Sequence, residues 1–168
     1  MNRTQKSVFS ALATAILCVV APFSLNIGAV PISLSTFVII ICAGFLGKTL
    51  GSLSVAVYII LGLCGLPIFS NFLGGPQVLF GITGGFVLGY LPLAFLTGLF
   101  YDKFKTVSLR ILGTVLGLTV LYIIGIIWFI FIFGNIGFSA IVIYFLPIFC
   151  IDILKAVLAT FILTKVRK

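Results

Sequence analysis

Long apolar runs separated by short breaks constrain this chain more than any other feature of its sequence. Six such runs lie at about residues 8–25, 34–47, 51–66, 82–101, 111–133 and 138–164. A transmembrane helix needs about 20 mostly apolar residues. The pattern therefore predicts an all-α integral membrane protein, a bundle of six transmembrane helices forming a single domain over residues 1–168. The second run is short, which predicts a tilted or partly re-entrant segment there.

The composition excludes a soluble globular fold. The chain is 62% hydrophobic and only 7% charged, whereas soluble domains contain about 25% charged residues. A lipid bilayer accepts the apolar exterior that water would not. The net charge of +8 comes from basic residues scattered through the breaks. We therefore expect the lipid bilayer, with its anionic headgroups, to be their partner, and we expect no nucleic acid.

The basic residues also predict the orientation of the bundle. With six spans, all lysines and arginines except Lys155 fall on one side of the membrane, and the three opposite loops contain no charged residue. Basic residues concentrate on the cytoplasmic side of membrane proteins. Both termini are therefore predicted to be cytoplasmic. The basic residues on that side are Arg3, Lys6, Lys48, Lys103, Lys105, Arg110, Lys165, Arg167 and Lys168.

The cysteines give no indication of a metal or redox site. All four lie inside apolar runs without a CxxC pair, and the chain contains no histidine. Zinc sites and redox motifs need such clusters. We expect no metal and no cofactor.

Two charged residues, Asp152 and Lys155, lie inside the sixth apolar run. Their i, i+3 spacing places them on one face of a helix. An isolated charge at the bilayer centre costs at least about 2.5–3.5 kcal/mol. The pair is either a structural ion pair or part of a ligand site, and charges within membranes favour the ligand site. Asp102, in a turn rich in lysine, is interpreted as a solvated surface charge.

Counted back from Lys165 at about 1.5 Å per residue, Asp152 lies roughly 20 Å from the cytoplasmic end, at or just beyond the midplane towards the outside. Other polar and small residues are predicted to converge on this outer half of the bundle. Asn71 lies in the long loop at residues 67–81, and hydroxyl residues open the second run. The GITGG stretch at residues 81–85 opens the fourth run, where glycines would let a ligand approach a helix N-terminus. The predicted ligand contacts are Asn71, Ser35, Thr36, Thr83, Gly84 and Gly85, together with Asp152 and Lys155.

Ala11 and Ala15 form a small-xxx-small pair in the first run. Such a face lets another helix approach closely. The pair is either an internal packing contact or an interface with a partner protein.

Four stretches of the sequence together are typical of one family: AVPISLSTF at residues 29–37, GLCGLPIF at 62–69, GITGGFVLGY at 81–90 and IDILKAVLA at 151–159. Through them the chain resembles the BioY family, the biotin-binding S components of energy-coupling factor (ECF) transporters. The resemblance implies a six-helix bundle in the cell membrane of a prokaryote. It implies capture of biotin from outside, with a membrane-embedded T component and two ATPase subunits as partners and no catalysis by this chain.

The resemblance also implies roles for particular residues. Asp152, Lys155 and Asn71 match residues that help to bind biotin, while Ala11 and Ala15 match the face that packs on the T component. Lys155 could serve the valerate, the ureido oxygen or Asp152 itself. The family commonly has glutamine in place of Ser35 and often tyrosine in place of Phe86, which indicates a changed pocket or ligand preference.

Three other functions remain open at this stage. The first is an S component for a different vitamin, and the second is a stand-alone proton-coupled carrier with Asp152 as its relay. The third is an intramembrane enzyme. The lack of histidine argues against a Ser–His dyad, and one intramembrane aspartate is too few for an aspartyl dyad.

Overall fold

The computed structural model describes residues 2–25, 32–134 and 138–166; Pro31, Arg167, Lys168 and most of the turn after the fifth run lie outside these ranges. The helices are α1 (Arg3–Val20), α2 (Ser35–Leu63), α3 (Gln77–Phe80), α4 (Gly84–Lys103), α5 (Val107–Phe133) and α6 (Phe138–Val166). A 3₁₀ turn covers Ser70–Phe72. Strands β1 (Ser24–Leu25) and β2 (Ile32–Ser33) pair antiparallel, with Ser24 opposite Ser33.

The prediction of a helical membrane protein is confirmed. Within the described ranges, four helices are long and apolar enough to cross a membrane: Ser35–Leu63, Gly84–Lys103, Val107–Phe133 and Val142–Lys165. Thr4–Val20 forms a shorter apolar helix. Large apolar side chains remain exposed around the bundle, such as Phe131 at 78% and Ile143 at 69%, as a lipid-facing surface requires.

Helix α2 contains the second and third predicted runs and turns back on itself at Gly47. This glycine has φ 81° and ψ 177°, outside the helical region. A Cβ placed on Gly51 would lie 2.6 Å from the Cα of Ala43, although eight residues of straight helix span about 12 Å. Residues 35–46 and 48–63 therefore form two helical arms, which meet at Gly47 and pack closely beside this corner.

Asp102 is exposed, which agrees with its interpretation as a surface charge, and it also stabilises this corner. Its Oδ2 accepts a hydrogen bond from the backbone N–H of Lys48 at 2.9 Å, although the residue is exposed. That N–H belongs to the first turn of the second arm, where helical donors lack partners. Asp102 thus caps a helix from a distant part of the chain. A Cβ on Gly47 would lie 2.5 Å from its carboxylate.

Among the differences from the predicted boundaries, two affect the same end of the bundle. Helix α1 ends at Val20 instead of residue 25, because proline at position 22 cannot continue the helical hydrogen bonding. The segment at residues 67–81, predicted as a loop, contains the 3₁₀ turn and α3. Both changes shape one end of the bundle, which we call the hairpin end: β1, β2 and residues 64–83. The opposite end, with Gly47 and Asp102, is called the corner end.

The capping role of Asp102 can be tested by substitution. Asp102→Ala should lower the free energy of unfolding by about 1 kcal/mol, because a helix N-terminus loses its acceptor. Asp102→Asn should lower it less, since the amide oxygen still accepts. Thermal unfolding in detergent measures both. Thr106→Ala is the matched control, because Thr106 precedes α5 without a side-chain cap. Equal stability of the two alanine variants would contradict the capping role.

Candidate functional site

A cavity of about 530 Å³ opens at the hairpin end of the bundle. Its volume lies within the range of about 300–1,000 Å³ that is usual for small-molecule sites. It is surrounded by residues of β2, α2, the loop after α2, α3, the turn before α4, and helices α4, α5 and α6. The lining residues are Ser33, Thr36, Tyr58, Phe69, Ser70, Asn71, Leu73, Gln77, Val78, Gly81, Ile82, Thr83, Phe86, Val87, Tyr90, Leu121, Tyr122, Ile148 and Asp152.

The cavity has a buried floor and a more accessible rim. We call Thr36, Tyr122 and Asp152 the floor; each of them is buried. We call Ser70, Asn71, Gln77 and Thr83 the rim, whose residues are exposed or half-buried. Most of the remaining wall is aromatic or aliphatic, so the cavity suits a largely apolar ligand with a polar group at each end.

Asp152 is the polar centre of the floor. It is only 5% exposed, and its carboxylate accepts three hydrogen bonds from side chains. Oδ1 accepts from Thr36 at 3.0 Å and from Lys155 at 2.9 Å, and Oδ2 accepts from Tyr122 at 2.8 Å. A carboxylate offers about four acceptor positions. Oδ2 therefore retains one position for a donor on a ligand.

Lys155 forms the predicted ion pair with Asp152, at 2.9 Å. Its Nζ also donates to the backbone carbonyl of Ser33 at 2.8 Å, and its side chain is not among those lining the cavity. The two interpretations of the charged pair are therefore compatible. Lys155 acts as a structural counter-ion, while Asp152 faces the cavity.

Tyr122 is the floor residue that the sequence analysis missed. Besides donating to Asp152, its ring packs edge-on against Phe149 and Phe86, with centroids 4.9 Å and 5.7 Å away. Buried tyrosine hydroxyls usually have a hydrogen-bond partner. A tyrosine within the strongly apolar fifth run was thus a usable indication, although the run itself does not identify the partner.

Asn71 lies at the rim in a strained turn. Its φ of 61° and ψ of 29° lie in the left-handed region, which asparagine tolerates better than most residues. Its Oδ1 accepts from the Ser24 hydroxyl at 2.8 Å, and its backbone N–H donates to the carbonyl of Pro22 at 3.0 Å. These contacts attach the 3₁₀ turn to the segment after α1 and hold Asn71 at the rim of the cavity.

The other predicted residues divide into two groups. Thr36 and Thr83 line the cavity, whereas Ser35, Gly84 and Gly85 do not. Ser35 is fully buried, and its hydroxyl is 3.4 Å from the carbonyl of Ala21. Gly84 and Gly85 are buried at the start of α4. Both pack against the Trp128 side chain, whose indole N–H donates to the carbonyl of Gly81 at 3.0 Å.

Ala11 and Ala15 are exposed on α1, away from the cavity. The internal contact of α1 uses a different face. There the hydroxyls of Ser10 and Ser54 are 2.9 Å apart, and Thr14 donates to the Ser54 carbonyl at 3.1 Å. The small pair is therefore free of the internal packing that was one of its two interpretations.

Comparison with known proteins gives a consistent result. The sequence model of the BioY family matches residues 1–168. The biotin transporter BioY of Thermotoga maritima is 38% identical over 155 residues, covering 92% of this chain and 91% of that protein. The biotin transporter BioY2 of Lactococcus lactis subsp. cremoris is 35% identical over 153 residues, covering 89% and 83%.

The fold is also similar to a solved one. The crystal structure of the S-component for biotin from an ECF-type ABC transporter superposes with a TM-score of 0.89 at 28% sequence identity. The match covers 99% of this chain and 94% of that one.

The ion pair on α6 can be tested by a double-mutant cycle. Asp152→Asn and Lys155→Met should each destabilise the protein, because removing one partner of a buried pair leaves the other charge uncompensated. The double variant should lose less than the sum, with a coupling free energy of about 1–3 kcal/mol. Thermal unfolding in detergent measures the cycle, and Lys165→Met controls for loss of a lysine elsewhere on α6. Additive effects would show that the two side chains do not stabilise each other.

Proposed function

We propose that this chain, which belongs to the BioY family, captures biotin in the cavity at the hairpin end of its bundle and serves as the S component of an ECF-type uptake transporter. The relatives named above are biotin transporters, and the structural neighbour is an S component for biotin. The chain is nearly as long as these proteins, since it covers between 83% and 94% of each of them.

One observation carries the proposal: the buried carboxylate of Asp152 lines the cavity with an acceptor position to spare. The ureido ring of biotin presents two N–H donors and one carbonyl. One of those N–H groups can donate to Oδ2, because a carboxylate in its charged form is purely an acceptor. The hydrogen bonds from Tyr122 and Lys155 hold the carboxylate in place before the ligand arrives.

The walls of the cavity suit the rest of the molecule. Phe86, Val87, Leu121 and Ile148 are lining residues that are almost completely buried. The thiophane ring and the methylene chain of biotin would replace water against these side chains, which favours binding by about 25 cal/mol for each Å² of apolar surface removed from water. Asn71 at the rim offers both a donor and an acceptor.

We place the hairpin end outside the cell and both termini in the cytoplasm of a prokaryote. The two arms of α2 count as two spans, which together with α1, α4, α5 and α6 gives six. This arrangement puts the described basic side chains other than Lys155 at the corner end. There Lys48 follows Gly47 in the sequence, and Lys103 follows Asp102. The arrangement follows the positive-inside rule and opens the cavity towards external substrate.

We assign no catalytic step to this chain. Uptake against a gradient needs energy, so we propose a membrane-embedded T component and two ATPase subunits as partners. Ala11 and Ala15 are exposed on α1 and present little side-chain volume, which allows a helix of the T component to approach closely.

Biotin binding is the first test of this proposal. In a thermal-shift screen of vitamins in detergent, biotin at 100 times its dissociation constant should add about 2.7 kcal/mol of stability. Asp152→Ala should weaken binding by about 10–150-fold, because it removes a charge-assisted hydrogen bond worth about 1.5–3 kcal/mol. Tyr122→Phe should weaken it by less, since the carboxylate only loses its orienting donor.

Tyr144→Phe is the matched control, because Tyr144 is exposed on α6 and outside the cavity. Unchanged biotin affinity in Asp152→Ala would refute the site. Stabilisation by another vitamin and not by biotin would assign a different substrate.

The partner interface is tested separately. Ala11→Leu with Ala15→Leu should reduce co-purification with the T component and ATPases by about tenfold or more, because two bulky side chains prevent close helix packing. Biotin affinity should stay unchanged. Ile123→Trp, an enlargement at an exposed position on α5, serves as the control. If the variant with Ala11→Leu and Ala15→Leu still co-purified fully with the T component and ATPases, the interface would lie elsewhere.

A further inference from the structure

The charges around the cavity are distributed unequally. Among the described residues that line it, Asp152 is charged and none is a lysine or an arginine. The segments at residues 26–31 and 135–137, which the structure does not describe, contain no charged residue in the sequence either. The cavity therefore offers an acid and no lining cation.

Lys155 does not change this balance. Its ammonium group is engaged by Asp152 at 2.9 Å and by the Ser33 carbonyl at 2.8 Å. The ion pair sums to zero charge. A ligand that carries a carboxylate thus finds a floor that is already neutralised and a rim of neutral polar groups.

This distribution orients a charged ligand. A ligand carboxylate placed beside Asp152 would lose its hydration and find no free cation in exchange, because Lys155 is already paired, and burying an uncompensated charge is costly. The carboxylate of a bound ligand therefore lies at the rim, near Ser70, Asn71, Gln77 and Thr83. Water reaches the exposed rim residues, so the ligand carboxylate keeps part of its hydration and needs no counter-ion from the protein.

We propose, on the basis of the biotin-binding function above, that the site recognises the ring system of its ligand and does not require the negative charge of the ligand's valerate chain. Its substrate class then includes biotin derivatives whose carboxyl group is an amide or an ester. Hydroxyl and amide groups at the rim can donate to or accept from a carboxamide as well as a carboxylate. An extended amide substituent would leave through the open rim.

Ligands that differ from biotin only at the carboxyl group or at the ureido ring test this inference. Purified protein in detergent is titrated with biotin, with biotinamide and with biotin methyl ester by calorimetry or competition. Biotinamide is the sharpest probe, because its carboxamide has the shape of the carboxylate and no charge. Its dissociation constant should be within about fivefold of that of biotin, as for a solvent-exposed charge without a close partner. Biotin methylated on a ureido nitrogen should bind far more weakly.

The salt dependence of biotin affinity is an independent test of this inference. Biotin affinity should change by less than about twofold between 0.05 M and about 0.5 M sodium chloride, because no protein cation at the rim is being screened. Gln77→Lys should introduce a positive charge, which the described rim residues lack. It should tighten biotin relative to biotinamide by about threefold to fivefold, the scale of an exposed ion pair, and make biotin binding salt-sensitive. Thr106→Lys at the corner end is the matched control and should leave the ratio unchanged.

The outcomes separate this inference from the proposed function. Tight biotin binding together with a loss of more than about 30-fold for biotinamide would overturn the inference and leave biotin capture intact, since such a loss exceeds an exposed ion pair. Failure of biotin itself to bind would overturn both. Equal binding of biotin and biotinamide, with selectivity gained in Gln77→Lys, supports the inference.

Discussion

The structure depends on how one negative charge is accommodated inside an apolar bundle. Asp152 is almost fully buried, and an unpaired carboxylate there would cost several kcal/mol. Three helices share the compensation: Thr36 on α2, Tyr122 on α5 and Lys155 on α6 all donate to it. The same hydrogen bonds that make the charge tolerable hold these helices around a common cavity. Stability of the bundle and preorganisation of the site thus have one physical origin.

The contacts of the charged pair continue to the rim. Lys155 donates to the carbonyl of Ser33, and Ser33 pairs with Ser24 across the short strands. The hydroxyl of Ser24 in turn donates to Asn71 at 2.8 Å. The hairpin between α1 and α2 therefore connects the floor of the cavity with the turn above it. The loops that border the cavity are positioned by hydrogen bonds as well as by apolar packing, which explains how segments of such different local structure form one site.

The sequence predicted those features that carry a large local free-energy cost. A charged pair in hydrocarbon marks its own position, so Asp152 and Lys155 were identified from spacing alone, and the apolar runs predicted the helices. Features that depend on distant partners were not accessible. Tyr122 lies 30 residues from Asp152 in the chain, and Asp102 caps a helix that begins 54 residues earlier. Gly84 and Gly85 looked like an open approach for a ligand because nothing local indicates that Trp128 covers them.

Pairing the acid with a base solves a problem that a lone acid would create. An S component must be stable in the membrane without substrate as well as with it, and an unpaired buried Asp152 would make the empty state costly. Lys155, which is not among the residues that line the cavity, neutralises the charge, and Thr36 and Tyr122 fix the direction of the carboxylate. One acceptor position on Oδ2 remains after these hydrogen bonds, and the proposed function assigns it to the substrate. In the proposed binding mode the substrate donor would add to the existing hydrogen bonds instead of replacing them, so that binding would not require the pair to separate.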